Sequence, residues 1–234
     1  MLIPYIWSLI YGGLKFKTHY GQHAEDVMVR RWFRGVQKGF YIDIGAHHPY
    51  KYSNTAHLWL RGWKGINVDA SASAIKLFNK IRTTDINICA AIVSPQNAEQ
   101  TKDIEFFYGK DLDAGATCDP TLAAQRDYKK SVVVKTMTIK QIMAAAVNNH
   151  IAQLDYLNID IEGLDSESID DISNWPLKPK VITIEIYAQS LEDVLQSDVS
   201  LKLSGANYIA IEKSGPTTVF IHKDYLEEIQ RQVS

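Results

Sequence analysis

Two apolar segments of this chain end in residues that can hold a nucleoside. The segment FYIDIGA at 40–46 closes on Asp43, Gly45 and Ala46. A glycine turn after a buried strand lets backbone approach a ligand closely, because no Cβ stands in the way. The segment GINVD at 65–69 closes on Asp69, whose carboxylate can accept hydrogen bonds from both hydroxyls of a ribose. Singly, Gly45 reads as a turn glycine and Asp69 as a cap before Ser71. Together, one strand–helix–strand unit apart, they point to a nucleoside ligand. His47-His48-Pro49 stands where a dinucleotide fingerprint would carry its further glycines. A pyrophosphate needs bare backbone N–H groups at a helix start. A nucleoside without phosphate, such as S-adenosylmethionine, therefore fits better than an NAD-type cofactor.

A second group of residues can move protons. Asp160, Glu162 and Asp165 follow the apolar run at 155–161, and Glu185 lies near the end of the run at 180–187. Strand alternation puts Asp160 and Glu162 on one side if the strand extends that far. Neighbouring strands lie about 4.8 Å apart, which brings Glu185 within reach of Asp160. Such carboxylates suit a general base with a raised pKa, or a Mg²⁺-type oxygen site built from Asp160, Glu162 and Glu185. The bland alternative is a strand carboxylate paired with a Lys or Arg. Burying a carboxylate without a function or a partner is costly, which favours function for Asp160 and Glu185. His47 and His48 sit on the turn beside the nucleoside site. His48 is the further candidate base, with an ordinary pKa of about 6.5, and His47 packs over the cofactor. His57 reads as structural, and Asp155, Asp170 and Asp171 as surface or cap residues.

These residues need a scaffold, and apolar periodicity supplies one. Helix-like spacing covers 22–33, 54–61, 73–81, 138–146 and 191–203. Strand-like runs cover 39–44, 65–68, 86–93, 103–108, 132–136, 155–161 and 180–187, and 207–212 and 217–222 flank a hairpin turn. Residues 109–130 read as a long surface excursion that selects the substrate, with Asp111, Asp113, Arg126 and Tyr128 as its polar contacts. The alternation predicts an α/β, Rossmann-like fold: a mostly parallel sheet covered by helices on both faces, closed by a C-terminal antiparallel hairpin.

Composition narrows the function classes. The 234 residues suit one domain over 21–234 after an apolar segment over 1–20, and the formal net charge is -2. No basic patch marks a nucleic-acid partner. Cys89 and Cys118 form no zinc-ligand spacing, and Cys89 reads as a small buried hydrophobe. The opening MLIPYIWSLI is too short to span a bilayer. Residues 1–17 suit packing on the domain, a subunit contact in a homo-oligomer, or a peripheral membrane contact. A cytoplasmic protein, or one at the inner membrane face, is expected.

Five blocks in order make the reading specific: GFYIDIGAHHP at 39–49, YSNT at 52–55, GWKGINVDA at 62–70, LDYLNIDIEGLD at 154–165 and VITIEI at 181–186. From about Gly21 to the C-terminus the chain resembles the FkbM family of methyltransferases. The resemblance implies a class I methyltransferase fold and an S-adenosylmethionine-dependent O-methyltransferase acting on a hydroxyl of a sugar, glycan or related metabolite. It implies that Asp43, Gly45 and Ala46 floor the methionine part of the cofactor. Asn54 and Thr55 would open a helix whose N–H groups receive its carboxylate. Asp69, with Ala70 and Ser71 beside it, would hold the ribose, and residues 90–93, with Ala91 at their centre, would flank the adenine. A hydride-transferring oxidoreductase and a non-catalytic domain of the same fold are the rival readings.

Overall fold

The computed structural model describes residues 19–233. The expected contacts of residues 1–17 lie outside them. Among the described residues no helix is long and apolar enough to cross a membrane.

Seven strands form the main sheet: β1 (Phe40–Ile44), β2 (Lys64–Asp69), β3 (Ile86–Cys89), β7 (Tyr156–Ile159), β8 (Val181–Glu185), β9 (Tyr208–Ser214) and β10 (Thr217–His222). Their order is β3-β2-β1-β7-β8-β10-β9. The pairs β3–β2, β2–β1, β1–β7 and β7–β8 are parallel, and β10 runs antiparallel to both neighbours. This is the expected Rossmann-like sheet with a closing hairpin. The order reverses between β1 and β7, and ligands of such sheets bind beyond the strand ends at that point.

Side-chain alternation sends the central strands into two cores. Ile42, Ile44, Leu157, Ile159, Ile182 and Ile184 pack on one face against α6 (Ile139–Asn148), α8 (Leu191–Gln196) and α9 (Asp198–Gly205). On the other face Tyr41, Tyr156, Val181 and Val219 meet α1 (Glu25–Trp32), α2 (Ala56–Leu60) and Tyr225 of α10 (Lys223–Val233). Burial on both faces is why these strands read as continuous apolar runs.

Several boundaries differ from expectation for local reasons. The run at 86–93 divides at Ala90 into β3 and β4 (Ala91–Ile92), which joins a separate sheet with β5 (Asp103–Tyr108) and β6 (Lys130–Met137) in the order β4-β6-β5. Cys89 is exposed, because β3 is an edge strand. The excursion at 109–130 contains α5 (Pro120–Gln125), capped by Asp119 with proline in its first turn. The helical run at 191–203 breaks where Ser197 leaves helical geometry and caps α9. Asp155 is buried: it accepts from the Phe40 N–H at 2.9 Å and pairs with Lys180 at 3.1 Å. The shorter elements are α3 (Ala72–Ile81), α4 (Pro95–Gln100) and α7 (Asp165–Ser168).

Candidate active site

A cavity of about 630 Å³ opens over the carboxyl ends of β1, β2, β7 and β8. That volume lies within the range of small-molecule sites. Gly45 shapes its floor. Its φ is +75°, and a Cβ there would lie 1.6 Å from the Asp160 carbonyl oxygen, so only glycine lets β1 and β7 close here. The Gly45 and Ala46 N–H groups both donate to the Val68 carbonyl, tying the turn to β2.

Asp69 sits half-buried at the end of β2. Its two oxygens accept from the His47 N–H at 2.8 Å and the Ser71 N–H at 2.7 Å. Burial pushes its pKa up to about 6 against these two hydrogen bonds. A carboxylate has about four acceptor positions, so both oxygens retain capacity toward the cavity. Ala70 and Ala91 pack with Phe106, Ala116 and Cys118 into a small apolar wall beside it. Ala70, Ser71 and Ala91 all line the cavity.

Asp43 belongs to a polar row that crosses the sheet. Register aligns Asn87, Asn67, Asp43, Asn158 and Thr183 on neighbouring strands. Asp43 is 1% exposed. It accepts from Thr55 Oγ1 at 2.5 Å and from Asn158 Nδ2 at 2.9 Å. Asn158 Oδ1 accepts in turn from Thr183 Oγ1 and Asn54 Nδ2. Burial raises the Asp43 pKa, while Thr55, Arg82 and Asn158 oppose the rise. In the sequence the row shows only as a polar residue standing second in each of INVD, IDIG, LNID and ITIE, four segments that nothing aligns before the register is known. Asn54 lines the cavity and its buried Oδ1 has no protein partner.

Asp160, Glu162 and Glu185 all line the cavity, but not as alternation suggests. β7 ends at Ile159, and Glu162 (φ +50°) and Gly163 (φ +104°) turn away in left-handed geometry. Glu162 binds Arg126 at 2.7 Å, and Glu185 accepts from the Tyr187 hydroxyl at 2.8 Å. Among the described residues no group of three His, Cys, Asp or Glu side chains is placed to hold a metal ion. The expected Mg²⁺ site on Asp160, Glu162 and Glu185 is therefore corrected: Glu162 is spent on a guanidinium. Burial, then the Glu185 charge, raises the Asp160 pKa well above the carboxylate range. Burial also raises Glu185, opposed by the Tyr187 hydrogen bond.

Three expected roles change. His48 does not line the cavity. Its Nδ1 accepts from the Tyr50 and Lys51 N–H groups, both at 3.0 Å, so the neutral ring carries its proton on Nε2 and offers no lone pair as a base. Burial, then the Lys51 and Arg82 charges, lowers its pKa. Thr55 is fully buried behind the cavity wall and acts on Asp43 through its hydroxyl. The Ser53 hydroxyl takes the Thr55 and Ala56 N–H groups at the start of α2, so that helix start is no free anion site. His47 does line the cavity, and burial lowers its pKa to about 4.

The loop after β5 crosses over this cavity. Asp111 and Asp113 line it, but Asp113 is spent on the Gly109 and Gly115 N–H groups and the Tyr128 hydroxyl. Arg126 holds the Gly115 carbonyl as well as Glu162. Arg126 and Tyr128 thus fasten the loop over the Asp69 end. The opposite end is lined by His23, Glu25, Glu185, Tyr187 and Pro216.

Arg82 carries no functional signal in the sequence. It follows an amphipathic helix, where a cation reads as a partner of the helix C-terminus, yet its side chain is 0% exposed.

No curated protein matches the chain. Residues 43–213 match a family model described as the methyltransferase FkbM domain. The match covers well over half of the chain and includes Asp43, Gly45, Asp69, Asp160 and Glu185, so this protein belongs to the FkbM family and is a methyltransferase.

Proposed function

We propose that the chain is an S-adenosylmethionine-dependent O-methyltransferase whose acceptor is a hydroxyl of a sugar, glycan or related small molecule. The observation that carries the cofactor assignment is the His47 N–H. In a dinucleotide fold the glycine turn directs such groups toward a pyrophosphate. Here it donates to Asp69 and stabilises a ribose-binding carboxylate instead. The bare Gly45, the small Ala46, Ala70 and Ala91 walls and the unpartnered Asn54 Oδ1 fit a nucleoside with an amino-acid tail.

When bound, the cofactor supplies a methyl group already activated on a sulfonium sulfur. The chain must bind it, orient the acceptor oxygen in line, exclude water and take one proton. Asp69 holds the ribose, and the loop at 109–118 covers the nucleoside. Asp160 is the general base, because its burial and the Glu185 charge raise its proton affinity toward the working range. Glu185, steadied by Tyr187, accepts hydrogen bonds from neighbouring acceptor hydroxyls. An acceptor end lined by Glu25, Asp160 and Glu185 suits a hydroxyl-rich molecule and repels a phosphate backbone.

The test is titration calorimetry with S-adenosylhomocysteine. Wild type binds, and Asp69→Ala loses about a hundredfold or more in affinity, from two charge-assisted hydrogen bonds of about 1.5–3 kcal/mol each. Absence of binding by the wild type sinks the cofactor assignment.

A further inference from the structure

The guanidinium of Arg82 lies beneath the turn that follows β1, completely buried. Nη1 donates to Tyr41 Oη at 3.0 Å, Thr55 Oγ1 at 2.8 Å and Asn67 Oδ1 at 3.1 Å. Nη2 donates to the Pro49 carbonyl at 2.5 Å and Ser53 Oγ at 3.0 Å. Nε has no partner. The cation faces the rings of Phe78, Trp59 and Tyr41. Every acceptor is neutral, an unusual setting for a buried charge. Two carboxylates wait one hydroxyl away: Thr55 links Arg82 to Asp43, and Tyr41 links it to Asp85.

The chemistry of arginine fixes the direction of this relay. A guanidinium only donates. Thr55 Oγ1 must therefore accept from Arg82, which turns its own proton onto Asp43 Oδ2 at 2.5 Å. Asn158 Nδ2 donates to the other oxygen. Asp43 thus receives hydrogen bonds on both oxygens, the pattern that favours a carboxylate over a carboxylic acid. The same guanidinium clamps Pro49 and Ser53, which belong to the chain between the cavity residues His47 and Asn54.

We propose that Arg82 is a positioning residue for the cofactor site: it sets Thr55 as a donor to Asp43 and so keeps a negative charge under the cavity, ready for a sulfonium cofactor. This rests on the S-adenosylmethionine reading for its ligand. The charge on Asp43 has several opponents. Asp69 of β2, Asp85 after α3 and Asp160 after β7 are like charges felt at this site, and Tyr41 and Tyr156 flank it as neutral phenols. Arg82 is the cation that acts on Asp43 against them. Without it, Asp43 takes up a proton as pH falls, and attraction for a cationic ligand falls with it.

The test uses the full chain with Arg82→Gln, which keeps hydrogen bonding and removes the charge, and Arg82→Lys, which keeps the charge. In protein labelled with ¹³C at aspartate carboxyls, the Asp43 signal of the ligand-free Arg82→Gln variant titrates at higher pH than in wild type. Arg82→Lys returns it toward wild type. Titrated with S-adenosylmethionine, Arg82→Gln loses more affinity between pH 8 and pH 5 than wild type does. A lost fold contact alone weakens binding equally at both pH values. Superimposable Asp43 titrations in wild type and Arg82→Gln overturn the proposal. Wild type that fails to bind the cofactor overturns the cofactor reading instead, and leaves the carboxyl titration to judge Arg82. If circular dichroism shows Arg82→Gln unfolded, Thr55→Val cuts the relay with Arg82 in place. It raises the Asp43 titration on this proposal, and an unchanged titration refutes it.

Discussion

Replacing Gly45 with alanine probes whether the β1–β7 junction is built for close approach. Two costs follow from the structure. A left-handed φ of +75° costs an alanine about 1–2 kcal/mol. The new Cβ would also stand 1.6 Å from the Asp160 carbonyl oxygen, where real Cβ atoms keep at least 3.0 Å, so the strands must part by about 1.4 Å, the difference. That movement stretches the Asp160 N–H to Ile44 carbonyl bond, now 3.0 Å, at about 1 kcal/mol. The overpacking costs about 1–3 kcal/mol more. Gly45→Ala should therefore lose about 3–6 kcal/mol in urea unfolding. Gly62→Ala is the internal control: its φ is +89°, but nothing lies within 4 Å of its Cβ position. It should lose only the conformational part, about 1–2 kcal/mol. Gly45→Ala should also weaken S-adenosylhomocysteine binding, while Gly62→Ala should not. If Gly45→Ala is no less stable than Gly62→Ala and binds as wild type does, the close-approach argument is wrong.

Two further outcomes concern the buried carboxylates. Glu185→Gln removes the like charge beside Asp160, so the acidic limb of the kcat/KM profile should move to lower pH, and Asp160→Asn should abolish turnover. A limb that stays in place with Glu185 neutralised shows that Asp160 is not the base. Asp165, 7% exposed, has its pKa pushed up to about 7 by burial, against an ordinary value near 3.9. A carboxyl raised on folding stabilises the protein fully below its unfolded pKa and loses that contribution as pH rises through the folded one. The stability of wild type relative to Asp165→Asn should therefore fall by about 3–4 kcal/mol between pH 4 and pH 8 in chemical denaturation. A constant or rising difference over that window refutes the raised carboxyl.

How far the site can be read from the sequence follows from what each feature depends on. The central strands are covered on both faces, so they stand out as apolar runs whatever lies around them, and their alternation with helices yields the sheet. Gly45 and Asp69 mark strand ends and are legible for the same reason. The polar row is not, because Asn67, Asn158 and Thr183 each look like an isolated interruption until register aligns them with Asp43. Strand ends set by left-handed residues escape periodicity as well. The turn at Glu162 and Gly163 takes Glu162 out of the expected carboxylate group and gives it to Arg126.

The two histidines after Gly45 show how one departure from a fingerprint acquires a physical meaning. In the sequence they only weaken a pyrophosphate site. In the fold they do different things. The His47 N–H supports Asp69, and the His48 ring closes the turn through two N–H groups. Both backbone N–H groups are taken, by Asp69 and by the Ala46 carbonyl, and the His48 ring has no lone pair left for general base catalysis. The family assignment likewise sets aside the hydride-transfer reading. On the proposed reading the proton goes to the carboxylate group on the far side of Gly45. A Cβ at Gly45 would meet the Asp160 carbonyl oxygen, so the glycine that shapes the proposed cofactor site also sets where Asp160, the proposed base, stands.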